Sequence, residues 1–191
     1  MSCRLVRTRL ASPANVADEA SLVGDVRRRL ACRAMDGWES WQRRNADGAI
    51  ESEQRVVLGR PVVDFSAAGA ERLGLAYWRE VQQLTGALVR ARERDGAVEL
   101  RLLGRGPILL RFGRATLEAT EARAACCYPI AGGLLARRPA GEISFEQTPG
   151  SLRSTIRGFF PRVAFYDRLQ GRAHVAVSRR YFRRLIAEAG Q

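Results

Sequence analysis

His174 is the only histidine of the chain, so any chemistry that needs an imidazole depends on it. Asp167 lies seven residues before it and Ser178 four residues after it, which places the three side chains along one stripe of a predicted helix. Ser, His and Asp form the usual nucleophilic triad. However, seven helical residues span about 10.5 Å along the axis, so the carboxylate lies too far away to orient the ring. The sequence therefore predicts a packed or hydrogen-bonded His174, with a ligand contact or an acid/base role as the alternatives.

Two of the four cysteines, Cys126 and Cys127, are adjacent in a predicted strand. Neighbouring strand residues point to opposite faces, so these thiols can neither pair without strain nor hold one metal ion together. With a single histidine and no C-x-x-C motif, the sequence predicts no metal site. The small number and irregular spacing of the cysteines favour a reducing compartment, and we expect the protein to be cytoplasmic.

General acid and base catalysis would need carboxylates that face each other in a cavity. The strand acids instead alternate with apolar residues, which predicts that they lie on the wet face of a sheet and balance arginines there. These acids are Glu99, Glu118, Glu142 and Glu146. No residue is therefore singled out as catalytic, no cofactor is predicted, and whether the protein is an enzyme stays open.

The N-terminal third of the chain has weaker patterns than the rest. Residues 1–20 are small and polar without a clear period, which predicts a flexible arm before a single domain over residues 21–191. Residues 21–35 carry apolar side chains at helical spacing, and Trp38 and Trp41 would share one face if that helix continued. Residues 51–58 are expected to form either a strand or an irregular crossing.

The order of elements after residue 70 predicts an α+β fold. A helix is expected over residues 70–94, because apolar residues recur there at helical spacing and Asp95-Gly96 is a typical stop. Short apolar and polar alternations, separated by glycine and proline turns, then predict about six antiparallel strands. These strands are 98–103, 108–112, 115–120, 122–128, 142–148 and 152–159. A long C-terminal helix over residues 163–189 is expected to pack across the mainly antiparallel sheet.

The composition is that of a globular protein with a strong positive charge. The hydrophobic fraction is 46% and the charged fraction 27%. No apolar run approaches the roughly 18 residues that span a bilayer, so no transmembrane segment is predicted. All 32 basic residues are arginine, and the net charge is +12. This charge predicts a generic attraction to nucleic acid, anionic lipid or acidic partners.

A helix, six antiparallel strands and a closing C-terminal helix, in that order over residues 70–189, resemble the helix-grip fold of the SRPBCC superfamily. This superfamily includes START-type lipid-binding proteins, polyketide cyclases and plant pathogenesis-related proteins. The resemblance lies in the order of the elements. It implies that the protein binds, or also transforms, an apolar or lipid-like small molecule between the sheet and the last helix. A lipocalin-like barrel with a terminal helix is the structural alternative.

The resemblance implies a pocket lined mainly by aromatic and apolar side chains. The candidate lining residues are Trp78, Tyr128, Tyr166, His174, Val177 and Tyr181. Arg180 falls within the apolar arc of the last helix, although an unpaired buried guanidinium is costly. It would therefore meet an internal carboxylate or an anionic ligand group, unless the helix end overhangs into solvent.

Two further functions remain open at the level of sequence. One is a nucleic-acid or ribosome-associated protein that binds through its arginines. The arginines concerned are Arg153, Arg157, Arg179 and Arg183. The other is a structural interaction module, and the oligomeric state is not predicted.

Overall fold

The structure, a computed structural model, describes residues 37–162 and 166–190. Within these ranges it contains nine strands and two helices. The strands are β1 (Glu39–Arg44), β2 (Ile50–Val57), β3 (Val89–Arg94), β4 (Ala97–Leu102), β5 (Ile108–Phe112), β6 (Thr116–Thr120), β7 (Arg123–Gly132), β8 (Glu142–Thr148) and β9 (Ser151–Phe159). The helices are α1 (Ala67–Leu84) and α2 (Tyr166–Ala189). The predicted arm over residues 1–20 and the predicted helix over residues 21–35 lie outside the described residues.

The strands form one antiparallel sheet in the order β1-β2-β9-β8-β7-β5-β4-β3, and β6 pairs with β7 beyond the end of β5. The prediction of an α+β fold with a mainly antiparallel sheet and a C-terminal helix is confirmed. The predicted number of about six strands was too low. The described part of the chain adds β1, β2 and β3 to the six strands that the alternation identified.

Alternation along the strands explains why one face of the sheet is buried. In β8, Ile143, Phe145 and Gln147 are buried, while the residues between them are half-exposed. Successive strand side chains point to opposite faces, so this pattern directs one set toward the helices and the other toward solvent. The buried Gln147 Oε1 also accepts hydrogen bonds from the backbone N–H groups of Val62 and Val63, at 2.7 and 2.9 Å. It thereby fixes the segment that leads into α1.

The helix predicted over residues 70–94 is too long, because α1 ends at Leu84. The chain reverses at Gly86 and Ala87, whose φ angles are +57° and +63°. It then continues as β3, which pairs along its whole length with β4. The alternation of Val89 and Ala91 with arginines has the period of a strand, and the long-range pairing with β4 outweighs the helical spacing of the apolar residues before it.

Trp38 and Trp41 do not share a helical face, because the described chain forms a strand here and does not continue a helix. Trp38 directly precedes β1 and Trp41 lies within it, and residues three apart on extended chain point to opposite sides. The Trp38 ring is buried and packs edge-to-face on Phe182 of α2, with ring centroids 5.5 Å apart. Trp41 is only half-buried. Residues 37–66 of the described chain contain β1 and β2 and no helix.

Both helices pack on the buried face of the sheet. From α2, the side chains of Val177, Tyr181, Phe182 and Leu185 are buried in the core. The α1 helix approaches β7 closely at Gly74, where a Cβ atom would lie 2.5 Å from the Tyr128 hydroxyl oxygen. A side chain at this position would have to displace the Tyr128 side chain, so the close packing of α1 on β7 favours glycine here.

Candidate functional site

A cavity of about 250 Å³ lies between the two helices and the buried face of the sheet. We call it the central cavity. From α1 it is lined by Tyr77, Trp78 and Val81, and from α2 by His174 and Val177. Further side chains from both helices, from strands β3, β4, β5, β7, β8 and β9, and from Thr85 and Leu135 complete the wall. Its walls therefore consist almost wholly of carbon, as is usual for sites that bind small apolar ligands.

The structure brings together three of the sequence-predicted pocket residues and places Tyr128, Tyr181 and Arg180 outside the cavity lining. Trp78, His174 and Val177 line the central cavity. Tyr128 and Tyr181 are buried but lie outside its lining residues. Tyr128 instead packs on Trp78, with ring centroids 5.2 Å apart, and the Tyr181 ring packs 5.6 Å from that of Tyr77.

Tyr166 begins α2, and its side chain lies outside the described residues. Its predicted place in the pocket therefore stays a prediction.

His174 joins α2 to α1 across the central cavity. Its Nδ1 lies 2.6 Å from the Tyr77 hydroxyl oxygen, and the ring is only 7% exposed. Burial lowers the pKa of His174 to about 4, because the charged imidazolium would lose its hydration. The ring is therefore neutral at physiological pH. Its second nitrogen, Nε2, is buried and has no hydrogen-bond partner within the described chain.

Sequence reasoning missed Tyr77, which is the partner of His174. It precedes Trp78 on α1 and stands four residues before the buried Val81, so helical spacing places it on the buried face. That spacing was a usable signal for burial. No pattern in the sequence indicated that Tyr77 contacts His174, which lies 97 positions away.

Arg180 lies outside the lining of the central cavity and pairs with a carboxylate on α1. Its Nε donates to Glu80 Oε2 at 2.6 Å, and Arg184 Nη1 donates to Glu80 Oε1 at 2.9 Å. The Glu80 side chain is 1% exposed, whereas that of Arg180 is 53% exposed. The guanidinium thus reaches in from solvent to neutralise a buried acid, which combines the two environments that sequence reasoning had treated as alternatives.

The strand arginines on the solvent face of the sheet stand beside acids. Arg101 Nε donates to Glu99 at 2.8 Å, and this hydrogen bond holds the pKa of the Glu99 carboxyl below its ordinary value. Arg153 lies 3.8 Å from Glu146. Arg157 is directly opposite Glu142 in the register of β8 and β9. Charges of both signs therefore alternate over this face.

The other two arginines of the nucleic-acid alternative belong to α2. Arg179 lies over the Trp38 ring, with its Cζ 5.6 Å from the ring centroid, and Arg183 is exposed. They do not continue the row formed by Arg153 and Arg157 on the strands. The four arginines therefore do not make one uniform basic surface.

The adjacent cysteines are not poised for thiolate chemistry. Burial raises the pKa of Cys126 to about 11 and that of Cys127 to about 12, so both thiols stay protonated at neutral pH. The Cys127 thiol also donates to Glu142 at 3.2 Å. Over the described ranges, no group of His, Cys, Asp and Glu side chains is arranged to hold a metal ion.

No protein-family profile matches the chain, and no curated protein matches it significantly. In the described ranges, neither helix combines the length and the hydropathy that crossing a bilayer requires. The chemical character of the central cavity is therefore the main guide to function.

Proposed function

We propose that the protein binds an apolar small molecule in the central cavity and that it shares the helix-grip architecture of the SRPBCC superfamily. Two features support the architecture. An antiparallel sheet packs against a long C-terminal helix, and a second helix precedes most of the strands. The central cavity lies where the resemblance implies a ligand, between this sheet and α2.

The single observation that carries the proposal is the apolar character of the central cavity at a size that a small ligand can fill. An apolar cavity of about 150 Å³ in another protein stays dry and binds benzene. The volume of about 250 Å³ found here suits a ligand of one or two rings, or a hydrocarbon chain of similar size. Burial of such a ligand contributes about 25 cal/mol for each Å² of apolar surface that leaves water.

We propose binding without transformation because the cavity wall offers little for chemistry. Among its described lining residues, Tyr77 and His174 are the titratable side chains, and neither a carboxylate nor a thiol accompanies them. A neutral imidazole hydrogen-bonded to a phenol can orient a polar group. The pair has no charged third residue beside it, and such a residue is what orients the base that activates a nucleophile in known hydrolytic sites.

The proposal is tested by filling the central cavity. We expect the full chain to bind indane, a bicyclic hydrocarbon, and the substitution Val177→Phe to weaken this binding at least tenfold, because the larger ring occupies the ligand space. Ala176→Phe is the matched control, since Ala176 is the exposed neighbour on α2. Isothermal titration calorimetry measures the affinities, and thermal unfolding checks that both variants are folded.

Equal affinity of Val177→Phe and Ala176→Phe for indane would place the bound molecule elsewhere. Absence of binding by the unmodified protein to indane and to one-ring and two-ring analogues would overturn the proposed function.

A further inference from the structure

We infer that the ligand of the central cavity carries an uncharged hydrogen-bond acceptor, such as a carbonyl oxygen, and that His174 Nε2–H binds this acceptor. The inference rests on the proposed function and adds one polar group to the apolar ligand proposed above. It makes His174 a specificity-determining residue of the site.

The first step is the unpartnered ring nitrogen. His174 lines the central cavity, is 7% exposed, and uses Nδ1 for the 2.6 Å contact with the Tyr77 hydroxyl. Its Nε2 is buried without a partner among the described residues. Buried polar atoms in folded proteins are almost always hydrogen-bonded, so an orphaned ring nitrogen on a residue that lines a cavity points to a group supplied from outside the chain.

The second step is the direction of the hydrogen bond between Tyr77 and His174. A neutral imidazole has one nitrogen that donates and one that accepts, and the bond made by one nitrogen sets the role of the other. A phenol is far more acidic than the N–H of a neutral imidazole. The Tyr77 hydroxyl therefore donates to Nδ1, and the proton of the ring stays on Nε2. His174, a lining residue of the central cavity, thus carries a donor on Nε2, and the complementary ligand group is an acceptor.

The third step is the charge of that acceptor. Burial keeps His174 neutral, and no arginine belongs to the described lining of the central cavity. Arg180, the residue expected to meet an anionic group, is held by Glu80 between the helices. A carboxylate in the cavity would lose its hydration without gaining a cation, which is strongly unfavourable. A ketone, ester or amide carbonyl accepts the same hydrogen bond at little cost.

The inference is tested with two probes that differ by one oxygen, indane and 1-indanone. We define selectivity as the dissociation constant of indane divided by that of 1-indanone. Removal of the donor in His174→Leu should lower this selectivity at least tenfold relative to the unmodified protein. Val177→Ala is the matched control, because it alters the same wall without removing a polar group and should leave the selectivity within about twofold.

A spectroscopic measurement on the unmodified protein keeps the test independent of whether His174→Leu folds. Because the chain has one histidine, ¹⁵N-histidine labelling gives resonances from a single ring. We expect the free protein to carry its proton on Nε2, and 1-indanone to shift the Nε2 resonance while indane leaves it nearly unchanged.

The outcomes separate the inference from the proposed function. If neither probe binds, the proposed function fails and the inference fails with it. If both probes bind but selectivity is the same in His174→Leu, or if the ring proton lies on Nδ1, the cavity binds apolar molecules and the role of His174 is overturned.

Discussion

At the scale of single residues, His174 illustrates how a side chain takes its role from its three-dimensional neighbours. Its sequence neighbour Ser178 is buried and donates to Gln54 of β2 at 3.4 Å, and so belongs to the contact between α2 and the sheet. The contact that matters for His174 comes from Tyr77 of α1. The imidazole is therefore a neutral, oriented group in an apolar wall.

The buried neutral ring makes stability depend on pH. The folded-state pKa of His174 is about 4, below its ordinary value of 6.5, so the unfolded chain binds a proton that the folded chain rejects between these values. Stability therefore falls as pH decreases from 6.5 to 4, by about 3 kcal/mol from this group. Urea unfolding at several pH values measures it. The difference between the unmodified protein and His174→Leu isolates this contribution from those of carboxylates.

The carboxyls of Glu51, Glu99 and Glu188 have lowered pKa values. The stability that they contribute to the folded protein is therefore also lost in acid. They are present in both proteins, so their effect cancels in the comparison. A pH dependence that is the same with and without His174 would show that the ring is protonated without cost in the folded state.

At the scale of elements, the two helices are joined by ions as well as by apolar packing. Glu80 of α1 is buried between Arg180 and Arg184 of α2. Arg184 also pairs with Glu188, which in turn contacts Arg72 of α1 at 3.1 Å. The two helices form part of the wall of the central cavity, so this network helps to hold that part of the wall in place.

The two arginines should be partly redundant. Arg180→Gln leaves Arg184 on Glu80, and we expect it to lower the free energy of unfolding by about 1 kcal/mol or less, as for a partly exposed ion pair. Arg180→Gln with Arg184→Gln leaves the buried carboxylate without a cation and should cost about 3 to 5 kcal/mol. Arg183→Gln, at an exposed position of the same helix, is the control. Chemical denaturation gives the three values.

A double variant no less stable than Arg180→Gln alone would show that the buried Glu80 does not depend on its two arginines. That result would refute an ionic link between the helices.

At the scale of the whole molecule, the net charge of +12 and the distribution of charge lead to different expectations. The total predicts attraction to any polyanion. On the solvent face of the sheet, however, Arg101, Arg123 and Arg153 lie beside Glu99 and Glu146. Arginines that are neutralised by neighbouring acids contribute little to binding a phosphate backbone.

Nucleic-acid binding should therefore be weak and unspecific. We expect a dissociation constant no tighter than about 1 μM near physiological salt, and a steep loss of affinity between about 50 and 200 mM salt. Fluorescence anisotropy with a labelled RNA and a DNA duplex of equal length measures both. Arg153→Gln and Arg157→Gln should bind like Arg183→Gln. Tight binding that depends on the two strand arginines would instead favour the nucleic-acid alternative.

Much of the fold follows from local patterns that the sequence displays directly. The boundaries of β5 and β8 agree with residues 108–112 and 142–148 of the predicted strands. Their alternation has a period of two and their turns contain glycine or proline, so the signal is complete within a few residues. The C-terminal helix was predictable for the same reason, because its apolar residues recur at helical spacing over many turns.

Only the tertiary structure decided which distant residues contact one another. Val89–Arg94 became β3 because β4 offers it a partner, although the preceding apolar residues have helical spacing. Arg180 meets Glu80, and Tyr77 meets His174, only because α1 and α2 pack side by side on the sheet. Side-chain periodicity records which face of an element is buried, but it carries no information on which residue of another element lies opposite. The central cavity and its polar group therefore depend on packing that local patterns in the sequence do not specify.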